Sequence, residues 1–428
     1  MTTFRFIHVS DIHLGYEQYN LAERADDFAR AYLDMVEHAI TVRADFVLIA
    51  GDLFHKANAD AWTLRQAMHG LQLLRESSIP VVAIEGNHDA PHYHKHLSWM
   101  EFLGDHGLLS LLNVDRDAHG RAELRPFDPN SGHGSWLDVA GARIYGIKYY
   151  GAALPRILEE VEDQIEPAPF TILMLHAGME GQVPHMHGGL TMGQINPLHG
   201  AVDYLALGHV HKQLKTDWIH NPGSTEVNSF EEIDWPHGFF DVTVDTDAEV
   251  KHQAEFIPSP HLRPFHRIIA AVSDDDTSEV FAVKAEERIA ATTGIPERAI
   301  IELDLGGVAS FGRQEVPIER LKAAVEERFN PLAVRVRNSI VKDGILPVSS
   351  RERMDRVDVE RTVVERLVYS RPEYADSAAA WAKLILDIKG MAVENTVPAT
   401  IADHIAETAR RVSEGDAPLP APEASVTE

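Results

Sequence analysis

The sequence predicts a layered α/β domain, followed by a small α+β module and C-terminal helices. Three observations carry that prediction. Short apolar runs alternate with amphipathic stretches through the first part of the chain, the rhythm of strands and helices stacked in layers. Five of the runs end in metal-ligand side chains: FIHVSDIH (Asp11, His13), FVLIAGD (Asp52), VVAIEGNHD (Asn87, His88, Asp89), ILMLH (His176) and LALGHVH (His209, His211). A Pro258-Ser259-Pro260 break then separates this region from a second set of strands and helices.

The elements follow in order. Residues 4–10 predict the first strand. Residues 20–42 predict an amphipathic helix, capped by Asn20 with Glu23 and carrying Leu21, Phe28, Tyr32, Met35, Val36, Ala39 and Ile40 on one face. A strand at 45–50, a helix near 61–77 and a strand at 80–84 complete a β-α-β-α-β start. The stretch 113–136, rich in Asp, Gly, Pro and Asn, reads as loops or hairpins, and strands are expected at 143–148, 170–175, 203–207, 238–244 and 254–257. After the proline break, strands at 267–272, 299–305 and 333–337 with helices near 278–292 and 317–329 make the α+β module. Helices near 357–369, 375–390 and 398–412 follow, the middle one striped by Trp381, Leu384, Ile385 and Ile388. The domain boundaries are therefore 1–258, 262–345 and 352–413, with 414–428 as a disordered tail.

Composition narrows the function. The 428 residues contain no cysteine, which excludes disulfides and thiolate metal sites. No apolar run approaches a membrane span and no signal-peptide pattern opens the chain, so cytoplasmic residence and no membrane association are expected. The net charge is −27, from 39 basic and 66 acidic residues. A nucleic-acid binder should show a basic footprint. Here basic residues gather at 335–371, as Arg335, Arg337, Lys342, Arg351, Arg353, Arg356, Arg361, Arg366 and Arg371, and bound divalent metals would add positive charge where a phosphate must sit.

The motifs point to metal chemistry. A D-x-H pair at a strand end puts both side chains on one side, because strand side chains alternate. Gly51 and Gly86 let the backbone turn sharply before Asp52 and Asn87, and His209 and His211 repeat the i, i+2 spacing with two imidazoles. Side chains at the ends of several strands can converge on one edge of a sheet. Carboxylate, imidazole and amide oxygen in that mixture suit a pair of first-row divalent metals such as Mn²⁺, one position richer in oxygen and one in nitrogen, bridged by a carboxylate.

D-x-H, G-D, G-N-H-D, a lone His and G-H-x-H in this order resemble the calcineurin-like metallophosphoesterase superfamily. GDLFH at 51–55, IEGNHD at 84–89, LALGHVH at 205–211 and NPGSTE at 221–226 are similar to its SbcD-like branch, nuclease subunits of DNA double-strand-break repair. The resemblance implies a metallophosphoesterase sandwich with a small capping domain. It implies one metal on Asp11, His13, Asp52 and His211 and a second on Asp52, Asn87, His176 and His209, with Asp52 bridging. His88 matches the catalytic histidine that does not ligate, His55 a second histidine near the leaving group, and Asp89 would orient His88. The implied cofactor is Mn²⁺, two per chain, with Mg²⁺ or another divalent metal as substitute. The implied partners are DNA, an SMC-like coiled-coil ATPase of the SbcC type, and a second copy in a homodimer.

Two other functions compete: a phosphodiesterase or phosphatase for small nucleotides or phosphoproteins on the same metal core, and a non-catalytic scaffold for the ATPase. Retention of every ligand together with His88 disfavours the scaffold. The cluster His92, His94, Lys95, His96 and the pair His185, His187 read either as contacts at the site mouth or as solvated loops. Asp274-Asp275-Asp276 reads as a turn, and Trp99-Met100-Glu101-Phe102 as the mark of a divergent branch.

Overall fold

A computed structural model describes residues 2–90, 97–182, 189–342, 377–393 and 398–413, together with 361, 364–365, 367–368 and 374. Within the first 260 residues the strands are β1 (Thr3–Val9), β2 (Phe46–Ala50), β3 (Val81–Ile84), β4 (Ser110–Leu111), β5 (Asp115–Arg116), β6 (Ala122–Glu123), β7 (Trp136–Val139), β8 (Ala142–Ile147), β9 (Phe170–Leu175), β10 (Tyr204–Leu207), β11 (Leu214–Lys215), β12 (Ile219–Asn221), β13 (Gly238–Asp245) and β14 (His252–Pro258). The helices that cover them are α1 (Ala22–Val42), α2 (Ala61–Glu76), α3 (Trp99–Asp105) and α4 (Leu154–Val161). One sheet runs β14-β13-β1-β2-β3-β4 and the other β11-β12-β10-β9-β8-β7.

The two sheets pack face to face. Period-2 alternation sends Phe6, Phe46, Leu48, Val82 and Ile84 inward to meet Ile144, Phe170, Ile172, Met174 and Tyr204 from the second sheet. The alternate residues Ile7, Val9, Val47, Ile49 and Ala83 face outward into α1, α2 and α3. On the far side, Tyr145, Leu173, Leu175 and Leu205 pack on α4. Central strands are thus buried on both faces, which is why their sequences are almost wholly apolar. β1, β2 and β3 are parallel, as are β8, β9 and β10. Their C-terminal ends therefore meet at one end of the sandwich. The expected convergence on one sheet edge is corrected here: the site residues come from both sheets.

One local reading also changes. Leu21, not Asn20, occupies the N-cap of α1 and makes no side-chain cap. Tyr19 and Asn20 instead adopt left-handed backbone (φ 61° and 59°), which turns the chain into the helix. The Trp99 segment is a helix start, with Ser98 and Glu101 forming a reciprocal capping box.

The inner layer also holds polar rings. His8 is fully buried; its Nε2–H donates to the Leu207 carbonyl and its Nδ1 accepts from the Tyr204 hydroxyl, at 3.1 and 3.0 Å. Both nitrogens are satisfied only in the neutral ring, and burial pushes the His8 pKa down to about 3. The unfolded chain takes up that proton near pH 6.5, so the contribution of neutral His8 is complete above that pH and lost as pH falls toward 3. The loss is about 1.4 kcal/mol per pH unit. Urea unfolding at pH 7.5, 6 and 5 is expected to show this slope, and a His8→Gln variant to lose about one proton's worth of it. Equal slopes in the two proteins would refute the assignment.

The described residues form two compact units, one of residues 1–267, 293–302 and 329–335 and the other of 268–292, 303–328 and 336–428. Strands β15 (Phe265–Ala271), β16 (Ile300–Ala309) and β17 (Ala333–Lys342) make a sheet with β16 central. In the second unit, helices α5 (Ser278–Ala291) and α6 (Ile318–Phe329) are joined by Arg320, whose guanidinium bonds Glu286 and Glu279. Asp276 ends a turn, accepting from Ser273 N–H and pairing with Lys284, as its sequence predicts. Helices α7 (Ala378–Val393) and α8 (Pro398–Ser413) pack on one another. Their pairing splits the predicted Trp381 stripe, burying Leu384 and leaving Ile385 exposed. No helix among the described residues is long and apolar enough to cross a membrane.

Candidate metal centre

Each candidate ligand stands on the loop that follows a parallel strand. The loops after β1 and β2 continue to pair beyond the strands: Asp11 N–H donates to the Gly51 carbonyl, and the N–H groups of Ile12 and His13 both donate to the Asp52 carbonyl. This pairing holds Asp11, His13 and Asp52 in left-handed backbone (φ 51°, 52° and 54°), and His209 adopts it too (φ 78°). Each such residue costs on the order of 1–3 kcal/mol, tolerated where surrounding structure over-determines the geometry. Four of the seven predicted ligands are thus backbone outliers.

Their side chains meet around Asp52. Its Oδ2 lies 3.3 Å from His176 Nε2 and 4.0 Å from His13 Nε2. Asn87 Oδ1 lies 3.2 Å from His176 Nε2 and 2.9 Å from His209 Nδ1. His211 Nε2 stands 3.1 Å from His13 Nε2 and 3.9 Å from Asp11 Oδ1. The donor atoms of Asp11, His13 and His211 lie within 4.8 Å of one another, as do those of Asp11, Asp52 and His176. All seven predicted ligands are brought together.

Two glycines make this approach possible. A Cβ on Gly86 would collide with the Asp52 carboxylate, and one on Gly51 with the His176 ring.

The ring orientations are set from behind. His176 Nδ1–H donates to the Ala50 carbonyl at 2.8 Å, and His211 Nδ1–H to Glu232 Oε1 at 3.0 Å, so both turn Nε2 toward the cluster. His88 Nδ1–H donates to the His55 carbonyl at 2.7 Å, which likewise frees its Nε2. Asp89 does not orient His88. Its carboxylate accepts from the backbone N–H groups of Asp52, Phe54 and Gly86 and pins two loops together. The sequence places the two side chains side by side, but the backbone amides compete successfully for the carboxylate. His55 stacks on Tyr16, with ring centroids 3.8 Å apart, and lies 5.2 Å from His88.

The electrostatics are those of a cation site. Burial and neighbouring imidazoles push His55 and His209 down to about 4 and hold His13 well below its ordinary value, so these rings stay neutral with lone pairs available. Burial also opposes charge on His176, but the Asp52 carboxylate outweighs it and holds that ring at about 9. Reciprocally, His176 overcomes burial to hold Asp52 well below the usual carboxylate range. His13 Nδ1 is buried with no hydrogen-bond partner. Nitrogen and oxygen acceptors crowd together here, and a bound cation would take the place of the proton that Asp52 holds on His176, a donor set that fits divalent metals.

Sequence reasoning missed Glu232 and Tyr16. Neither has a spacing that marks it, since each reaches the site through a contact made only in the folded chain. His92, His94, Lys95, His96, His185 and His187 lie outside the described residues, as do Arg351, Arg353, Arg356, Arg366 and Arg371. Arg335 lies over the Tyr19 ring at 4.3 Å.

Residues 4–213 match the sequence model of the calcineurin-like phosphoesterases, and this part of the chain is a calcineurin-like phosphoesterase domain. Among curated proteins it is 44% identical over 230 residues to the DNA double-strand break repair protein Mre11 of Archaeoglobus fulgidus, a match covering 52% of this chain and 50% of that protein. The Mre11 proteins of Methanococcus maripaludis and Aeropyrum pernix are 30% and 28% identical, over 54% and 63% of this chain and 59% and 64% of their own length. The chain therefore spans about half to just under two thirds of the relatives it matches.

Proposed function

We propose that the chain is a two-metal phosphodiesterase that cuts DNA in double-strand-break repair. One observation supports this above all: Asp52 and six further side chains, on five loops from two sheets, converge, four of the seven in left-handed backbone. One cation would be held by Asp11, His13, Asp52 and His211, and the other by Asp52, Asn87, His176 and His209, with Asp52 shared. Bound there, the cations would neutralise the phosphate and supply an activated water. His88, anchored through Nδ1–H on the His55 carbonyl, would in its doubly protonated form offer Nε2–H to the scissile phosphate. His55, stacked on Tyr16, would stand beside it on the side of the leaving oxygen. The names of the relatives favour DNA as substrate. The mixture of imidazole and carboxylate favours Mn²⁺, with Mg²⁺ as a weaker substitute.

The partners follow the same reading. Trp62 and Leu97 are 56% and 52% exposed, and Leu97 lines an apolar groove with Ala57, Ala59, Trp99 and Phe102, a surface suited to a second copy. In the other unit Ile385 and Ile405 are 44% and 38% exposed on α7 and α8, a helical surface suited to a coiled-coil ATPase. The enzyme would act in the cytoplasm, where its substrate lies.

The test offers the purified chain duplex DNA, single strands and bis-p-nitrophenyl phosphate with Mn²⁺, Mg²⁺ or EDTA. Mn²⁺-dependent cleavage of DNA, lost in EDTA, is the expected result. Cleavage of only the small ester would overturn the DNA reading in favour of a small-molecule phosphodiesterase.

A further inference from the structure

We propose that Glu232 is a positioning residue for one of the two cation positions, and that through His211 it makes the position served by Asp11, His13 and His211 bind more tightly than the one served by Asn87, His176 and His209. The inference rests on the metal-centre reading above and adds a difference between its halves.

The difference lies behind the imidazoles. His176 donates its distal N–H to the neutral carbonyl of Ala50, whereas His211 donates to the charged carboxylate of Glu232. A carboxylate at 3.0 Å fixes the tautomer, polarises the ring and raises the basicity of the nitrogen that faces the cation. It also places a negative charge directly behind the His211 ring, where the His176 ring has only a carbonyl. A carbonyl dipole does the first of these and little of the others.

Glu232 is built for the task. The residue is 8% exposed. Its second oxygen accepts from Asn228 N–H at 3.1 Å, which leaves Oε1 directed at His211. Its backbone carbonyl accepts from Trp235 N–H and from the ring of His237, tying the turn 228–237 to the residue that serves the metal. Two acceptor oxygens are in use, and only a carboxylate provides two. Glutamine has one, so it can satisfy Asn228 or His211 but not both.

The test titrates Mn²⁺ into the full-length chain and reads free metal by electron paramagnetic resonance. Wild type is expected to bind two equivalents of unequal affinity. In Glu232→Gln the tighter equivalent is expected to weaken by roughly 10- to 100-fold and the other to stay unchanged. Glu232→Ala, checked for folding by circular dichroism, should repeat the effect, and Glu232→Gln serves alone if the alanine variant does not fold. Unchanged binding of both equivalents, or equal weakening of both, overturns the inference while leaving the metal centre standing. Wild-type protein that takes up no Mn²⁺ at millimolar concentration overturns the metal-centre reading itself, and this inference with it.

Discussion

Replacing His88 with alanine is expected to lower turnover by roughly 10²- to 10⁴-fold while both metal equivalents remain bound. The separation follows from which atoms of His88 do what. Its backbone N–H donates to Asp52 Oδ1 at 2.9 Å and so helps aim the shared carboxylate. Alanine keeps that bond. The side chain, by contrast, reaches no candidate ligand by hydrogen bond; its Nδ1–H is taken up by the His55 carbonyl. What is lost is Nε2, the group proposed to meet the phosphate. Single-turnover cleavage together with Mn²⁺ stoichiometry decides the matter: loss of metal in parallel with turnover would make His88 a ligand rather than an acid. The His55 carbonyl loses a donor in the variant, so its ring should shift as well, which the stacked Tyr16 limits.

Arg24→Met is expected to destabilise the sandwich by about 3–5 kcal/mol, the usual cost of stranding one half of a buried ion network. Arg24 is fully buried, and all three of its guanidinium nitrogens donate. Nε bonds Gln18, Nη1 bonds Asp27, and Nη2 bonds Glu226 and the Val227 carbonyl. Phe28 and Phe265 each lie near the guanidinium, at 5.0 and 5.1 Å. Asp27 has a second cation in Arg263, but Glu226 is left with backbone N–H donors alone. Burial already pushes the Glu226 carboxyl up against the pull of Arg24, so the variant should take a proton there on folding. Urea unfolding of Arg24→Met, Glu226→Gln and the double variant forms a cycle. The double variant is expected to recover part of the loss, and a single-variant loss under about 1 kcal/mol would show that Arg24 is not the keystone of this network.

Much of the fold was legible because burial on both faces leaves a strong mark. The runs FVLIA, VVAI, FTILML and YLAL were read as strands from their letters, and each is a buried parallel strand. Short, weakly patterned pieces were not. The helix Leu154–Val161 is too short for its pattern to stand out, and Asn20 has the letter of a cap although the chain enters α1 through a left-handed turn. Capping letters report what a residue can do locally. Here the first turn of α1 is governed by Arg24, which is drawn inward to Glu226, about two hundred residues away.

The sequence by itself determined which side chains are available for chemistry and that they stand at strand ends, because D-x-H, G-D, G-N-H-D and G-H-x-H are local patterns tied to local backbone geometry. Only the tertiary structure decided that two sheets, not one, deliver them, and that Asp89 serves backbone amides rather than His88. It alone placed Glu232 behind His211 and Tyr16 against His55. Those choices are settled by competition among partners far apart along the chain, and a linear string carries no record of which acceptor lies nearest once the two sheets close.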